Sequence, residues 1–148
     1  MNPKYNPEDL KEHYGVAAVI KNREGKILVQ LHNKYGFWTL PVGKVDLDKS
    51  PEEGLKVELL EETGIAFKQS KRLIEKETIY ERDGKDIKVK EILFEILDYK
   101  GTPRNKEPQK HKEQTFKSVQ EIASLPYLSN QTLRYLELQG IKRDAKIA

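Results

Sequence analysis

The feature that most constrains the fold is a helix with both ends marked in the sequence. Ser50 is a favourable N-cap, Pro51 suits the first helical position, and Glu53 lies three residues after the cap, as in a capping box. Gly64 is the expected C-terminal stop, because glycine adopts the left-handed conformation at little cost. The pattern therefore predicts a helix from Pro51 to about Thr63.

This helix carries three glutamates that repel one another. Glu58, Glu61 and Glu62 follow the spacing i, i+3, i+4, which places their carboxylates on one arc of roughly 100°. They lie near the helix C-terminus, where the helix dipole favours cations over anions. Such a cluster can hold a hard divalent cation such as Mg²⁺ or Mn²⁺, and a solvated acidic face is the alternative.

Short apolar segments separated by polar turns predict strands on both sides of this helix. A hairpin is expected around the turn 22–25, between segments 15–21 and 26–32, and the apolar run FWTLPV follows it. Two β-prone stretches, about 71–82 and 86–98, flank the turn RDGK.

The C-terminal third predicts a polar loop at 104–112, a short strand at 115–119 and a helix at 130–139. The tail, 141–148, is expected to be loose or bound at an edge. Without internal repeats or linkers, the prediction is one mixed α/β domain over residues 1–148.

Composition removes several classes of protein. No apolar run approaches the roughly 18–20 residues that cross a bilayer, the N-terminus does not resemble a secretory signal, and there is no cysteine for disulfides or thiolate ligands. His13, His32 and His111 are scattered without a zinc-binding spacing. We therefore expect a cytoplasmic protein without a membrane partner. The net charge of +3 favours solubility or small phosphates over long nucleic acids.

The segment GKVDLDKSPEEGLKVELLEETGI resembles the Nudix box, which is Gly, five residues, Glu, seven residues, then Arg-Glu-U-x-Glu-Glu-x-Gly-U, where U is a bulky aliphatic residue. Seven of the nine specified positions match, namely Gly43, Glu58, Leu59, Glu61, Glu62, Gly64 and Ile65. The preceding WTLPVG resembles the family's aromatic-x-x-Pro-Gly-Gly lead-in. The resemblance implies the Nudix fold, an α/β/α sandwich with a mixed central sheet and a catalytic loop–helix–loop.

Three positions depart from the family pattern. Lys49 stands where the box has Glu and Val57 where it has Arg, two side chains that commonly pair in the family. Because both are changed together, we expect Val57 to pack where the Arg would have bridged. Val42 replaces a lead-in glycine whose carbonyl often binds metal, which leaves the loop geometry and the metal affinity open.

The resemblance also implies a reaction, in which water attacks one phosphorus of a nucleoside diphosphate linked to another group. Divalent metal ions, Mg²⁺ first with Mn²⁺ as a substitute, would hold the diphosphate. Carried over by position, Glu58, Glu61 and Glu62 are the catalytic and metal-binding carboxylates, and Gly43 belongs to the metal-binding loop.

A second segment, KEPQKHKEQTFKS, resembles the loop before the last strand of MutT-like nucleotide pyrophosphohydrolases. It points to Glu107 as a further metal ligand or catalytic residue, with Glu113 as second choice. In several family members the general base is instead a helix glutamate, so its identity stays open. Glu91 and Glu95, on one face of a strand, are weaker candidates.

The leading prediction is a MutT-like pyrophosphohydrolase acting on (d)NTPs or related small nucleotides. ADP-ribose, a dinucleoside polyphosphate or an RNA 5′ end could replace that substrate, because the Nudix box does not specify it. A non-catalytic Nudix-fold module that binds nucleotides is the alternative outside the enzyme class, favoured by the changes at Lys49 and Val57. Homodimers are common in the family, although the sequence shows no dimer surface.

Overall fold

The computed structural model describes residue 5 and residues 7–143. A short 3-10 helix, Pro7–Leu10, precedes the first strand. The strands are β1 (His13–Val19), β2 (Ile27–His32), β3 (Trp38–Thr39), β4 (Val42–Asp46), β5 (Ser70–Arg82), β6 (Lys85–Ile96) and β7 (His111–Lys117). The helices are α1 (Pro51–Thr63), α2 (Val119–Ala123) and α3 (Asn130–Leu138).

The strands form two sheets that make up the middle layer. One is mixed, in the order β4-β1-β6-β5 with β1 and β6 parallel, and the other is antiparallel, in the order β3-β2-β7. Alternate residues of β1 face opposite sides, where α1 covers one hydrophobic cluster and α2 and α3 cover the other. The predicted α/β/α sandwich with a mixed sheet is therefore confirmed, with the middle layer divided into two sheets.

Helix α1 has the predicted bounds. The Ser50 hydroxyl accepts a hydrogen bond of 3.3 Å from the Glu53 N–H, and the Glu53 carboxylate pairs with Lys56. At the other end, Gly64 has φ 76° and donates its N–H to the Leu60 carbonyl. The N-cap and the glycine stop are thus as predicted, whereas the return hydrogen bond of a capping box, from the Ser50 N–H to the Glu53 carboxylate, is not among the described contacts.

The predicted hairpin around residues 22–25 forms only next to its turn. The Leu28 N–H donates to the Ile20 carbonyl at 2.9 Å, after which β1 and β2 continue into different sheets. The tertiary structure separates them because β1 pairs with β6, whereas β2 pairs with β7. By contrast, β5 and β6 form a continuous hairpin, whose turn contains Asp83 and Gly84 at positive φ.

The predictions for the C-terminal third were less accurate. The last strand begins at His111 and ends at Lys117, so its predicted position was too late. A short helix, α2, follows and was not predicted, although Ser118 and Glu121 form a complete capping box there. Helix α3 is close to its predicted bounds, and residues 144–148 of the predicted loose tail lie outside the described residues. Within residue 5 and residues 7–143, no helix is long and apolar enough to span a membrane.

Candidate active site

A glycine on β4 makes room for the first of the three helix glutamates. A Cβ added to Gly43 would come within 2.6 Å of Glu58 Cγ and 2.9 Å of its Cδ. The Glu58 side chain therefore lies directly on the Gly43 backbone, and burial raises the pKa of this carboxyl, an effect that the ammonium of Lys110 opposes. Only glycine allows this close approach of helix and strand.

Glu62 lies one turn further along α1 and is 1% exposed. Burial raises its pKa to about 8, Lys110 opposes that rise, and the neighbouring carboxylates of Glu58 and Glu107 add to it. Its Oε2 has no hydrogen-bond partner among the described residues, while its Oε1 lies 3.4 Å from Lys110 Nζ. A buried carboxylate with an unsatisfied oxygen is costly unless a cation or a proton compensates it.

The loop between β6 and β7 is bound to the end of α1. Backbone N–H groups of Arg104 and Lys106 donate to the carbonyls of Thr63 and Glu62 at 3.0 and 3.1 Å. The Lys106 ammonium also donates to the Leu60 carbonyl at 3.3 Å. The backbone of the loop thereby satisfies the Thr63 and Glu62 carbonyls, which the helix end would leave free. This attachment also holds the following residues of the loop beside Glu62.

Two side chains from this loop and the start of β7 join Glu62. Single ligand atoms of Glu62, Glu107 and His111 all lie within 4.8 Å of one another. His111 is 1% exposed, and burial lowers its pKa to about 4, with Lys110 and His32 adding to the effect. Two carboxylates, one of which has the unsatisfied Oε2 of Glu62, and an imidazole are donors that fit a divalent cation.

The other sequence candidates lie outside this group of three. Glu58 contributes to the electrostatics of Glu62, whereas Glu61 and Glu113 are exposed. Glu91 and Glu95 have structural partners, since Glu91 contacts Arg134 and Tyr80, and Glu95 pairs with Lys21. Glu107 rather than Glu113 is therefore the loop glutamate brought to the helix.

The three departures from the box have different surroundings. Val57 is 55% exposed, so the prediction that it packs in place of an Arg was wrong. The outer face of α1 at this position borders solvent instead of another element, and Lys49 is exposed as well. Val42 lies within β4 and pairs with Ala17 in regular register, so no glycine conformation is needed there.

Lys110 and His111 are neighbours of Glu62 that the sequence did not predict. Neither lies near Glu62 in the sequence, and the histidine spacing gave no signal. Their position depends on the attachment of the loop to α1, which a spacing rule within one helix cannot detect. The resemblance of KEPQKHK to a MutT-like loop was the one available indication, and there it singled out Glu107.

The family model described as the NUDIX domain matches residues 11–138, so this chain belongs to the Nudix family. Among curated proteins, a "MutT-like protein" from Streptomyces ambofaciens is 42% identical over 50 residues, which are 34% of this chain and 32% of that protein. The match thus spans about a third of that relative's length.

Solved structures extend the similarity over most of the chain. The MutT NUDIX hydrolase from Burkholderia pseudomallei is 27% identical with a TM-score of 0.71, covering 86% of this chain and 97% of that chain. The NUDIX domain of Shewanella oneidensis NrtR, complexed with ADP ribose, has a TM-score of 0.67, covering 93% of this chain and 92% of that chain. Because the two chains are only 17% identical, this similarity shows a shared fold and nothing further. Within the Nudix family, this chain is thus similar to MutT-like proteins in both sequence and structure.

Proposed function

We propose that the chain is a Mg²⁺-dependent pyrophosphohydrolase of (d)NTPs or related small nucleotides, with Glu58, Glu62 and Glu107 at the reacting diphosphate. The observation that carries the proposal is Glu62, a buried carboxylate at 1% exposure whose Oε2 has no hydrogen-bond partner among the described residues. A charged carboxylate buried in this way is costly, and a cation bound in the working enzyme would offset that cost.

The residues have separate parts in this proposal. Glu62 and Glu107 would hold the cation, and Glu58 would extend the acidic surface along α1. Gly43 would fix the side chain of Glu58, because the two are in van der Waals contact. A divalent cation bound here would neutralise phosphate oxygens and make a nearby water more acidic.

Lys110 gives the site a second source of positive charge. Its ammonium lies 3.4 Å from Glu62 Oε1, and the side chain is 44% exposed, so the ammonium can turn toward solvent. A cation at Glu62 would compete with this contact, and Lys110 would then be available to a phosphate of the substrate. Glu107 is the first candidate for orienting the attacking water, because it lies in the loop next to Glu62.

The test is release of phosphate or pyrophosphate from a panel of nucleotides with Mg²⁺. The panel contains NTPs, dNTPs including 8-oxo-dGTP, ADP-ribose and diadenosine polyphosphates. We expect turnover of a nucleoside triphosphate, and a loss on the order of 10²- to 10³-fold in Glu62→Gln. Glu53→Gln is the matched control, because it is the same exchange on the exposed first turn of the same helix.

Turnover that survives Glu62→Gln unchanged would contradict the site assignment. Selective turnover of ADP-ribose or of a dinucleoside polyphosphate would keep the enzyme and reject the (d)NTP substrate. If every nucleotide binds and none is hydrolysed, the protein is a nucleotide-binding module and the proposal fails.

A further inference from the structure

We propose that His111 binds the active-site metal through its Nε2, which would make this a mixed nitrogen–oxygen site that prefers first-row transition ions to Mg²⁺. This inference rests on the proposed function, because it concerns the same cation. It adds a ligand that lies outside the Nudix box, at the first residue of β7.

The His111 ring is buried without a hydrogen-bond partner among the described residues. It is 1% exposed, and its Nδ1 has no hydrogen-bond partner among the described residues. Its Nε2 lies 3.9 Å from Glu62 Oε1, which is too long for a hydrogen bond. Buried imidazoles normally hydrogen-bond through at least one nitrogen, and no hydrogen bond to either ring nitrogen of His111 is present among the described residues. The Nε2 faces the Glu62 carboxylate, whose other oxygen, Oε2, also has no hydrogen-bond partner among those residues.

The ring is also held in place by the loop that carries Glu107. The His111 N–H donates to the Glu107 carbonyl at 2.9 Å, and the Asn105 side-chain amide donates to the His111 carbonyl at 2.7 Å. The His32 ring also packs edge-on against the His111 ring, with the two ring centroids 6.1 Å apart. A metal ligand positioned by its backbone and its neighbours needs little reorganisation on binding.

The types of donor atom at this site also favour a transition ion over Mg²⁺. Mg²⁺ selects oxygen ligands, whereas imidazole nitrogen suits first-row transition ions such as Fe²⁺, Ni²⁺ and Zn²⁺. The group Glu62, Glu107 and His111 supplies two carboxylates and one imidazole. The ring nitrogens of a purely structural histidine are expected to hydrogen-bond to other groups of the protein. The described contacts of His111 include no such hydrogen bond.

The experiment is pulsed electron paramagnetic resonance of the Mn²⁺-loaded protein without nucleotide, with natural or ¹⁵N-labelled histidine. We expect a nitrogen coupling to Mn²⁺ that changes with the label in the unmodified protein, a measurement that needs no variant to fold. His111→Gln should lose the coupling and bind Mn²⁺ about tenfold or more weakly. Its Mg²⁺ affinity, measured by competition with Mn²⁺, should change less.

His13→Gln is the matched control, because His13 is also buried but lies outside the group of three and has a backbone contact of its own at Lys11. It should keep the coupling. Bound Mn²⁺ without a histidine coupling, or a coupling that survives in His111→Gln, would overturn the inference. If nucleotides are nevertheless hydrolysed, the proposed function stands without it, whereas absence of both Mn²⁺ binding and turnover would reject both.

Discussion

Two glutamates are buried among the residues that the structure describes, and they differ in how completely each carboxylate is paired. Glu91, 6% exposed, lies 2.8 Å from Arg134 Nη1 and accepts a hydrogen bond of 3.0 Å from the Tyr80 hydroxyl. Glu62, 1% exposed, has a half-exposed lysine at 3.4 Å and an oxygen without a hydrogen-bond partner among the described residues. Burial alone therefore does not mark a functional carboxylate, and the unpaired Oε2 of Glu62 is what supports the proposed site.

Neutralising each carboxylate in turn should give the largest contrast. Glu62→Gln is expected to lower turnover on the order of 10²- to 10³-fold while leaving the metal-free stability unchanged or higher, because a carboxylate with a pKa of about 8 is mostly protonated at neutral pH. Glu91→Gln should keep turnover and lower stability, because Arg134 loses its charged partner. Steady-state kinetics and urea unfolding in EDTA measure both effects, and similar profiles for the two variants would break the comparison.

Removing the cation beside each carboxylate tests the same contrast by stability. Arg134→Met should lower the free energy of unfolding by about 3–5 kcal/mol, because it leaves the Glu91 charge buried and uncompensated. Lys110→Met should cost less than about 1 kcal/mol, since Lys110 is 44% exposed and Glu62 can keep its proton. Urea unfolding at pH 7 without metal is the measurement. Equal losses would mean that Lys110 and Glu62 form a structural pair.

The pKa of Glu62 predicts how metal-free stability depends on pH. The folded protein keeps a proton on Glu62 up to about pH 8, whereas the unfolded chain releases it near the ordinary value of 4.5. Stability should therefore fall as pH rises between these values, by about 1.4 kcal/mol per pH unit, and then level off.

Comparison with Glu62→Gln isolates this effect. The histidines with lowered pKa, whose ordinary pKa is 6.5, lower stability as pH falls through about that value in both proteins. Thermal unfolding in EDTA at several pH values should show that, relative to Glu62→Gln, the unmodified protein loses stability as pH rises toward 8. A decline that persists in the variant would assign it to another group.

The smallest predicted effect concerns two glycines, Gly43 beside Glu58 and Gly15 beside Glu91. Gly43→Ala should displace the Glu58 side chain, because the added Cβ would lie 2.6 Å from Glu58 Cγ, and should weaken Mg²⁺ binding about tenfold. Gly15→Ala is the counterpart, since its Cβ would lie at an ordinary 3.6 Å from Glu91 Cγ, and its tight contact of 3.1 Å is with Val89 Cγ1 and not with the carboxylate. Mg²⁺ affinity by calorimetry should be unchanged in Gly15→Ala. An unchanged affinity in Gly43→Ala would remove Glu58 from the metal-binding surface.

The elements that the sequence predicted well are those with local signals. The ends of α1 depend on Ser50 and Gly64, and the β5–β6 turn depends on Asp83 and Gly84, so short segments determine them. The divergence of β1 and β2 into different sheets could not be predicted in this way, because it depends on pairing with distant strands. Helix α2 had a local signal in its capping box, and it could have been found.

The candidate site divides in the same way. The motif identified Glu58 and Glu62 by spacing along one helix, and a loop resemblance indicated Glu107. His111 could not be found from spacing, because its contact with Glu62 exists only when the loop is hydrogen-bonded to the end of α1. The exposure of Val57 was also missed, because the motif specifies a residue type and not what surrounds it.

The attachment of the β6–β7 loop to α1 has a consequence for how this protein can change in length. The long β5–β6 hairpin, Ser70–Arg82 and Lys85–Ile96, lies between the helix and the loop in the sequence. Because Arg104 and Lys106 are fastened to the helix carbonyls, the spacing between Glu62 and Glu107 is set by hydrogen bonds and not by the number of residues between them. Residues can therefore be inserted or removed at the tip of that hairpin while the reacting groups keep their distance from one another.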